Sequence, residues 1–151
     1  MTRILSFDDD PCLAEMVCMI LEGAGFEAVS TSNIHEALLI LRTQPIDLLI
    51  QDLARPIMNG DEFVRLLKDD NELRCVPVLL ISGFTRTQAA KFLLEWGVDL
   101  QSDVGGYLKK PYSPVALLDA VEAILLRHGK SLPPVEVRER ARAGWPKSEE
   151  G

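Results

Sequence analysis

Five side chains in this chain have the types and the order needed to handle a phosphoryl group. They are Asp8 and Asp9, then Asp52, then Ser82, then Lys110, and each set follows a short apolar run. A cluster of carboxylates repels itself and costs stability unless a cation joins it. Hard oxygen ligands from one or two carboxylates suit Mg²⁺. A lysine opposite them neutralises a transferring phosphoryl group, and a hydroxyl hydrogen-bonds it. An aspartate can itself act as the nucleophile and become an aspartyl-phosphate. Each residue also has a plainer reading. Asp52 could end a strand or cap the next helix, Asp10 is best read as a helix cap, and Lys109 as a solvated strand residue. Ser82 alone means nothing. The set, in this order, is much harder to assign to chance.

The elements that would bring these residues together can be read from periodicity. Leu48, Leu49 and Ile50 form an apolar run that ends at Asp52, as in a parallel strand buried on both faces. Pro56, Asn59 and Gly60 supply turn chemistry directly after it. Upstream, Arg3 to Phe7 is a short strand running into the acidic triplet. Asp10 and Pro11 make an N-cap and first-turn pair. Leu13, Met16, Val17, Ile20 and Leu21 then place a helix, stopped at Gly23 and Gly25. Glu27 to Ser30 is a second strand. Asn33 and Glu36 have capping-box spacing before a second helix buried through Ile34, Ala37, Leu38 and Leu41. Phe63, Leu66 and Leu67 mark a third helix, Val76 to Ile81 a fourth strand, and Ala89, Phe92, Leu93 and Trp96 a fourth helix stopping at Gly97. Gly106 to Lys109 is a fifth strand. Ser113 and Pro114 open a fifth helix, with Leu117, Leu118, Val121, Ile124 and Leu125 inward. Five β–α repeats imply an α/β fold with a doubly wound parallel sheet and right-handed crossovers. In such sheets ligands bind beyond the carboxyl ends of the strands, which is where the five side chains fall.

Composition bounds the rest. The 151 residues suit one domain, and 47% hydrophobic with 26% charged residues is an ordinary globular balance. A net charge of −7 argues against direct nucleic-acid binding by the body of the protein. No apolar run is long enough for a bilayer and no signal peptide is visible, so no membrane insertion and a cytoplasmic location are expected. Cys12, Cys18 and Cys75 are scattered and odd in number, which fits reduced thiols. Residues 129–151 differ from the body: Pro133-Pro134 breaks the chain, and Val135 to Ala143 is a short helix or a disordered stretch. The expected division is a domain over 1–128 and a tail over 129–151, with no output domain.

These motifs together resemble the receiver domain of bacterial two-component response regulators, of the chemotaxis type. The resemblance rests on Phe7-Asp8-Asp9-Asp10-Pro11, on Leu49-Ile50-Gln51-Asp52 with Pro56-Ile57-Met58-Asn59-Gly60, on Ser82-Gly83, and on Tyr107-Leu108-Lys109-Lys110-Pro111. It covers roughly residues 3–127. It implies a flavodoxin-like (βα)5 sheet of order 2-1-3-4-5. It also implies roles: Asp52 as phosphoacceptor, and Asp8, Asp9, Asp52 and the carbonyl of Ala54 as Mg²⁺ ligands. Ser82 with Gly83 and Lys110 would bind phosphate, with Tyr107 as the aromatic that switches with Ser82 and a cis bond between Lys110 and Pro111. The implied donor is a phosphohistidine on a histidine kinase or phosphotransfer protein, and the output an unknown downstream protein target.

Two departures stand out. Arg55 replaces a usual apolar residue, and the segment from Val98 to Val104 looks like an insertion near the face that normally carries output. The expected protein is a stand-alone receiver that catalyses only its own phosphorylation and dephosphorylation. A phosphorelay intermediate or phosphate sink is an alternative. Of other classes, an Mg²⁺-dependent aspartyl phosphatase would use Asp8 as nucleophile and leave Asp52 unexplained. A phosphorylation-independent interaction module would not need the intact acidic, Ser and Lys positions.

Overall fold

The computed structural model describes residues 2–52, 67–95 and 97–145. Ala54, Arg55, the turn over residues 56–60, the third helix through Phe63 and Leu66, Trp96, and the charged tail end at Lys147, Glu149 and Glu150 lie outside them. The elements are β1 (Arg3–Phe7), α1 (Pro11–Gly23), β2 (Glu27–Thr31), α2 (Ile34–Thr43), β3 (Leu48–Asp52), β4 (Val78–Ser82), α3 (Arg86–Glu95), α4 (Leu100–Asp103), β5 (Gly106–Lys109), α5 (Pro114–Arg127) and α6 (Val135–Ala143). The strands form one parallel sheet, ordered β2-β1-β3-β4-β5.

Alternation along the strands divides the core in two. Ile4, Leu48, Ile50, Leu79 and Ile81 face one way, packed against α1 and α5. Leu5, Leu49 and Leu80 face the other, packed against α2, α3 and the start of α4. Both sets are buried because helices cover both faces, so the strands read as unbroken apolar runs. The helices start where their caps predict. Asp10 accepts from the Cys12 amide at 2.9 Å, Asn33 from His35 and Glu36, and Ser113 from Ala116, each satisfying amides that have no partner inside the helix. Gly25, Gly97 and Gly129 have positive φ. Each closes a helix by the same pair of bonds, as in Phe26 N–H to the Leu21 carbonyl and Gly25 N–H to Glu22.

Some boundaries differ from the sequence reading. β4 begins at Val78 rather than Val76, because Pro77 has no amide to give the ladder and joins only through its carbonyl, which accepts from Leu49. β2 runs one residue further, to Thr31. The Val98–Val104 insertion contains α4, capped by the Asp99 carboxylate on the Gln101 amide. The tail contains α6, docked on α5. No described helix is long and apolar enough to cross a membrane.

Candidate functional site

The sheet register gathers the candidate side chains at one edge. Phe7 lies opposite Gln51, Asp52 opposite Ile81, and Ser82 opposite Lys109. Asp8, Asp52, Ser82 and Lys110 therefore emerge together. Lys110 is tied down by its own amide, which donates to the Ser82 carbonyl at 2.7 Å, and the peptide to Pro111 is cis. Its ammonium pairs with Asp52 Oδ2.

Asp52 is almost entirely covered, its side chain 6% exposed. Its second oxygen, Oδ1, is buried and has no hydrogen-bond partner among the described residues. Asp8 stands beside it. Burial pushes the Asp8 carboxyl up to about 7. The Asp10 amide, donating to Asp8 Oδ1 at 2.9 Å, opposes the shift, the neighbouring Asp52 carboxylate adds to it, and Lys110 draws it back. Two carboxylates thus stand side by side, with one ammonium paired to Asp52. That charge balance calls for a proton or a cation on the Asp8–Asp52 pair. Asp9 and Asp10 are exposed. Among the described residues no group of three or more acidic, His or Cys side chains stands close enough to hold a metal, and Ala54 lies outside them.

On the far side of Asp52 the polar contacts converge on one residue. Ser82 is buried, and its Oγ accepts from the Phe84 amide at 3.1 Å. The Tyr107 hydroxyl donates to the Phe84 carbonyl. The main chain of Phe84 therefore bridges Ser82 and Tyr107, and its ring meets Phe92 of α3 edge-on, with centroids 5.2 Å apart. Gly83 is exposed in the intervening turn, with open space where a Cβ would stand. Lys109 is exposed and points its amine at the Lys110 carbonyl.

On the near side a cavity of about 590 Å³ reaches Asp8, Asp52 and Lys110, with apolar walls from α1 and from the start of α5. Tyr112 lines it. It packs with the α1/α5 core. Burial raises its phenol, with Asp52 and Asp8 adding to the shift. Sequence reasoning missed three features here. Trp145 also lines the cavity, from the far end of the chain. The Phe84 joint is made of backbone, so no side-chain pattern marks it. A capping box, in which Thr85 and Gln88 each accept the other's amide, opens α3, and its signal was in the sequence at the usual spacing.

A family model described as "Response regulator receiver domain" matches residues 4–122. The chain is 36% identical over 126 residues to the DNA-binding response regulator MtrA of Mycolicibacterium smegmatis, covering 83% of this chain and 51% of that protein. It is 30% identical over 125 residues to the phosphate regulon transcriptional regulatory protein PhoB of Escherichia coli, covering 52% of it. The chain thus spans about half the length of these relatives. Among solved structures, the chemotaxis response regulator CheY4 of Vibrio cholerae superposes with a TM-score of 0.69 at 27% identity, over 83% of this chain and 99% of that one. The signal receiver domain of a histidine kinase from Syntrophus aciditrophicus gives 0.71 at 28% identity, over 89% and 98%.

Proposed function

The chain belongs to the response regulator receiver family, and from that premise we propose that Asp52 accepts a phosphoryl group and so switches the protein's binding to a partner. The observation that carries this reading is the buried Asp52 carboxylate, paired to Lys110 through one oxygen, unpartnered at the other among the described residues, and neighboured by Asp8. The donor is a phosphohistidine on a histidine kinase or phosphotransfer protein. Its P–N bond breaks as the Asp52 oxygen bonds to phosphorus. Lys110 is already in place to take up charge on the transferred oxygens, and it gives up part of its pairing with Asp52 to do so. Positioning and charge supply most of the rate, since the protein contributes little covalent chemistry of its own.

The Asp8–Asp52 pair fits Mg²⁺: an orphaned buried oxygen and a carboxyl held near neutrality both gain from a divalent cation. Asp8, Asp9, Asp52 and the Ala54 carbonyl would hold it, with waters completing the shell. The ion would neutralise charge on the phosphoryl oxygens.

Output follows from the Phe84 joint. A phosphoryl oxygen on Asp52 accepts a hydrogen bond from the Ser82 hydroxyl and draws Oγ toward itself, away from the Phe84 amide that donates to it. Release of that amide moves Phe84, and through its carbonyl Tyr107 and through its ring α3. The face built by α3, α4, β5 and α5 is the surface that changes. With a net charge of −7, a protein suits that surface better than nucleic acid. Incubation with phosphoramidate and Mg²⁺ followed by site mapping tests the acceptor. A hydroxylamine-labile label on Asp52 supports the reading, and a label on Asp8 sinks it.

A further inference from the structure

The C-terminal helix is fastened to the body by more than its composition requires. Its apolar face is thin, consisting of Val137 and Ala141, yet Arg138 and Arg142 share that face and both reach α5. Arg142 donates to Asp119 Oδ1 at 2.8 Å, and both guanidinium groups pair with Glu122. Glu122 is a buried carboxylate, 7% exposed. A buried charge of this kind is tolerated only when fully partnered, and these two arginines are the partners that α6 brings to it.

The connection into α6 is fitted as well. The Thr2 hydroxyl donates to the Ser131 carbonyl, Lys130 pairs with Asp47 at 3.3 Å, and Pro133 sits where a side chain at Gly25 would clash at 2.8 Å. The result is directional. The chain leaving α6 sets Trp145 against the same cavity that reaches Asp8, Asp52 and Lys110.

We propose that α6 is an intramolecular strap that holds the Trp145 indole on the wall of the cavity that reaches Asp52 and limits access of the phosphodonor to that carboxylate through it. This rests on the reading of Asp52 as acceptor. The Trp145 indole stands on the cavity wall, 36% exposed, and the helix that precedes it is held by ion pairs that end on α5. The cavity reaches Asp52, so a donor that approaches through it meets the indole on its wall. A gate that is closed most of the time lowers the apparent rate by its open fraction. A strap docked in about nine molecules of ten would thus slow phosphorylation about tenfold.

The test uses the full chain with phosphoramidate and Mg²⁺ and reads two quantities. One is the initial labelling rate at Asp52. The other is acrylamide quenching of the fluorescence that Trp145→Ala removes. Arg138→Ala combined with Arg142→Ala frees the helix, and Trp145→Ala removes the indole while keeping both arginines, so one variant stays informative if the other unfolds. Faster labelling in either folded variant, with stronger quenching when the arginines are lost, supports the strap. Labelling at the unaltered rate overturns the gate, and unaltered quenching overturns the arginine fastening. Labelling that persists in Asp52→Asn removes the acceptor reading and the gate with it, a failure that leaves the quenching result standing as a measure of docking alone.

Discussion

The two flanks of Asp52 are built from different materials. Toward α3 the site is closed and wired: Leu93, Val98 and Leu100 are buried, and the Ser82 and Tyr107 hydroxyls both end on the main chain of Phe84. Toward α1 it opens into a cavity with exposed Met16 on its wall, together with Trp145 from the chain that follows the arginine-fastened α6. Close packing transmits a displacement, because a packed core does not deform continuously. A cavity bordered by ion pairs cannot do this, but it can admit or exclude a molecule. The contrast separates two tasks that share one carboxylate: communication on the closed flank, admission on the open one.

The most decisive break is at the shared residue. Asp52→Asn is expected to keep the fold and lose all labelling by phosphoramidate, as read by intact mass. Stoichiometric label on that variant would separate the two flanks from any common centre.

Next in size is a pair of substitutions that measures the contrast directly. Leu93→Ala on the closed flank should cost about 2–5 kcal/mol in urea unfolding, the usual range for a buried leucine. Met16→Ala on the open flank, 44% exposed, should stay within about 0.5 kcal/mol. Equal costs would mean the cavity wall is as tightly packed as the opposite face.

The acidic pair gives a pH signature. The Asp8 carboxyl is raised from 3.8 to about 7 in the folded protein. The folded state therefore binds more protons than the unfolded state between those values, and metal-free stability falls as pH rises through that window. Above about pH 7 the penalty is complete, and Asp8→Asn should flatten the decline. Mg²⁺ needs the carboxylate, so its stabilising effect grows over the same interval. It should reach about 1.4 kcal/mol at tenfold excess over its dissociation constant. Thermal melts in EDTA and in Mg²⁺ from acid to neutral pH provide the check. A metal-free melting temperature that tracks the Asn variant would remove Asp8 from the pair.

The smallest effect should be Tyr107→Phe. It deletes one hydrogen bond to Phe84, worth about 1 kcal/mol. Labelling at Asp52 should continue, while phosphorylation-dependent changes in amide exchange over residues 83–112 shrink. Changes concentrated in α1 and α2 instead would put communication on the wrong flank.

How much of this the sequence disclosed depended on the kind of force involved. Asp52, Ser82 and Lys110 were legible because apolar runs fix where strands end, and the ends of parallel strands share an edge. Asp10, Asn33 and Ser113 were legible because a cap acts within three residues. The side that Tyr112 takes was not legible, since its direction follows from how α5 packs and not from its neighbours in the chain. The start of β4 was misplaced by two residues because Pro77 keeps its carbonyl in the ladder without an amide. The docking of α6 depended on Glu122, a charged residue in an otherwise apolar stripe, which reads as noise until two arginines are seen beside it.

The Phe84 joint also bears on how such a surface can diversify. The groups that Ser82 and Tyr107 grasp are an amide and a carbonyl, present at position 84 whichever side chain stands there. Only proline would delete one of them. The ring at 84 is therefore spare as far as the two grips are concerned, and it can be exchanged to suit a new partner without cutting the link to the acceptor. Inheritance of the switch and divergence of what it addresses are, at this residue, carried by different atoms.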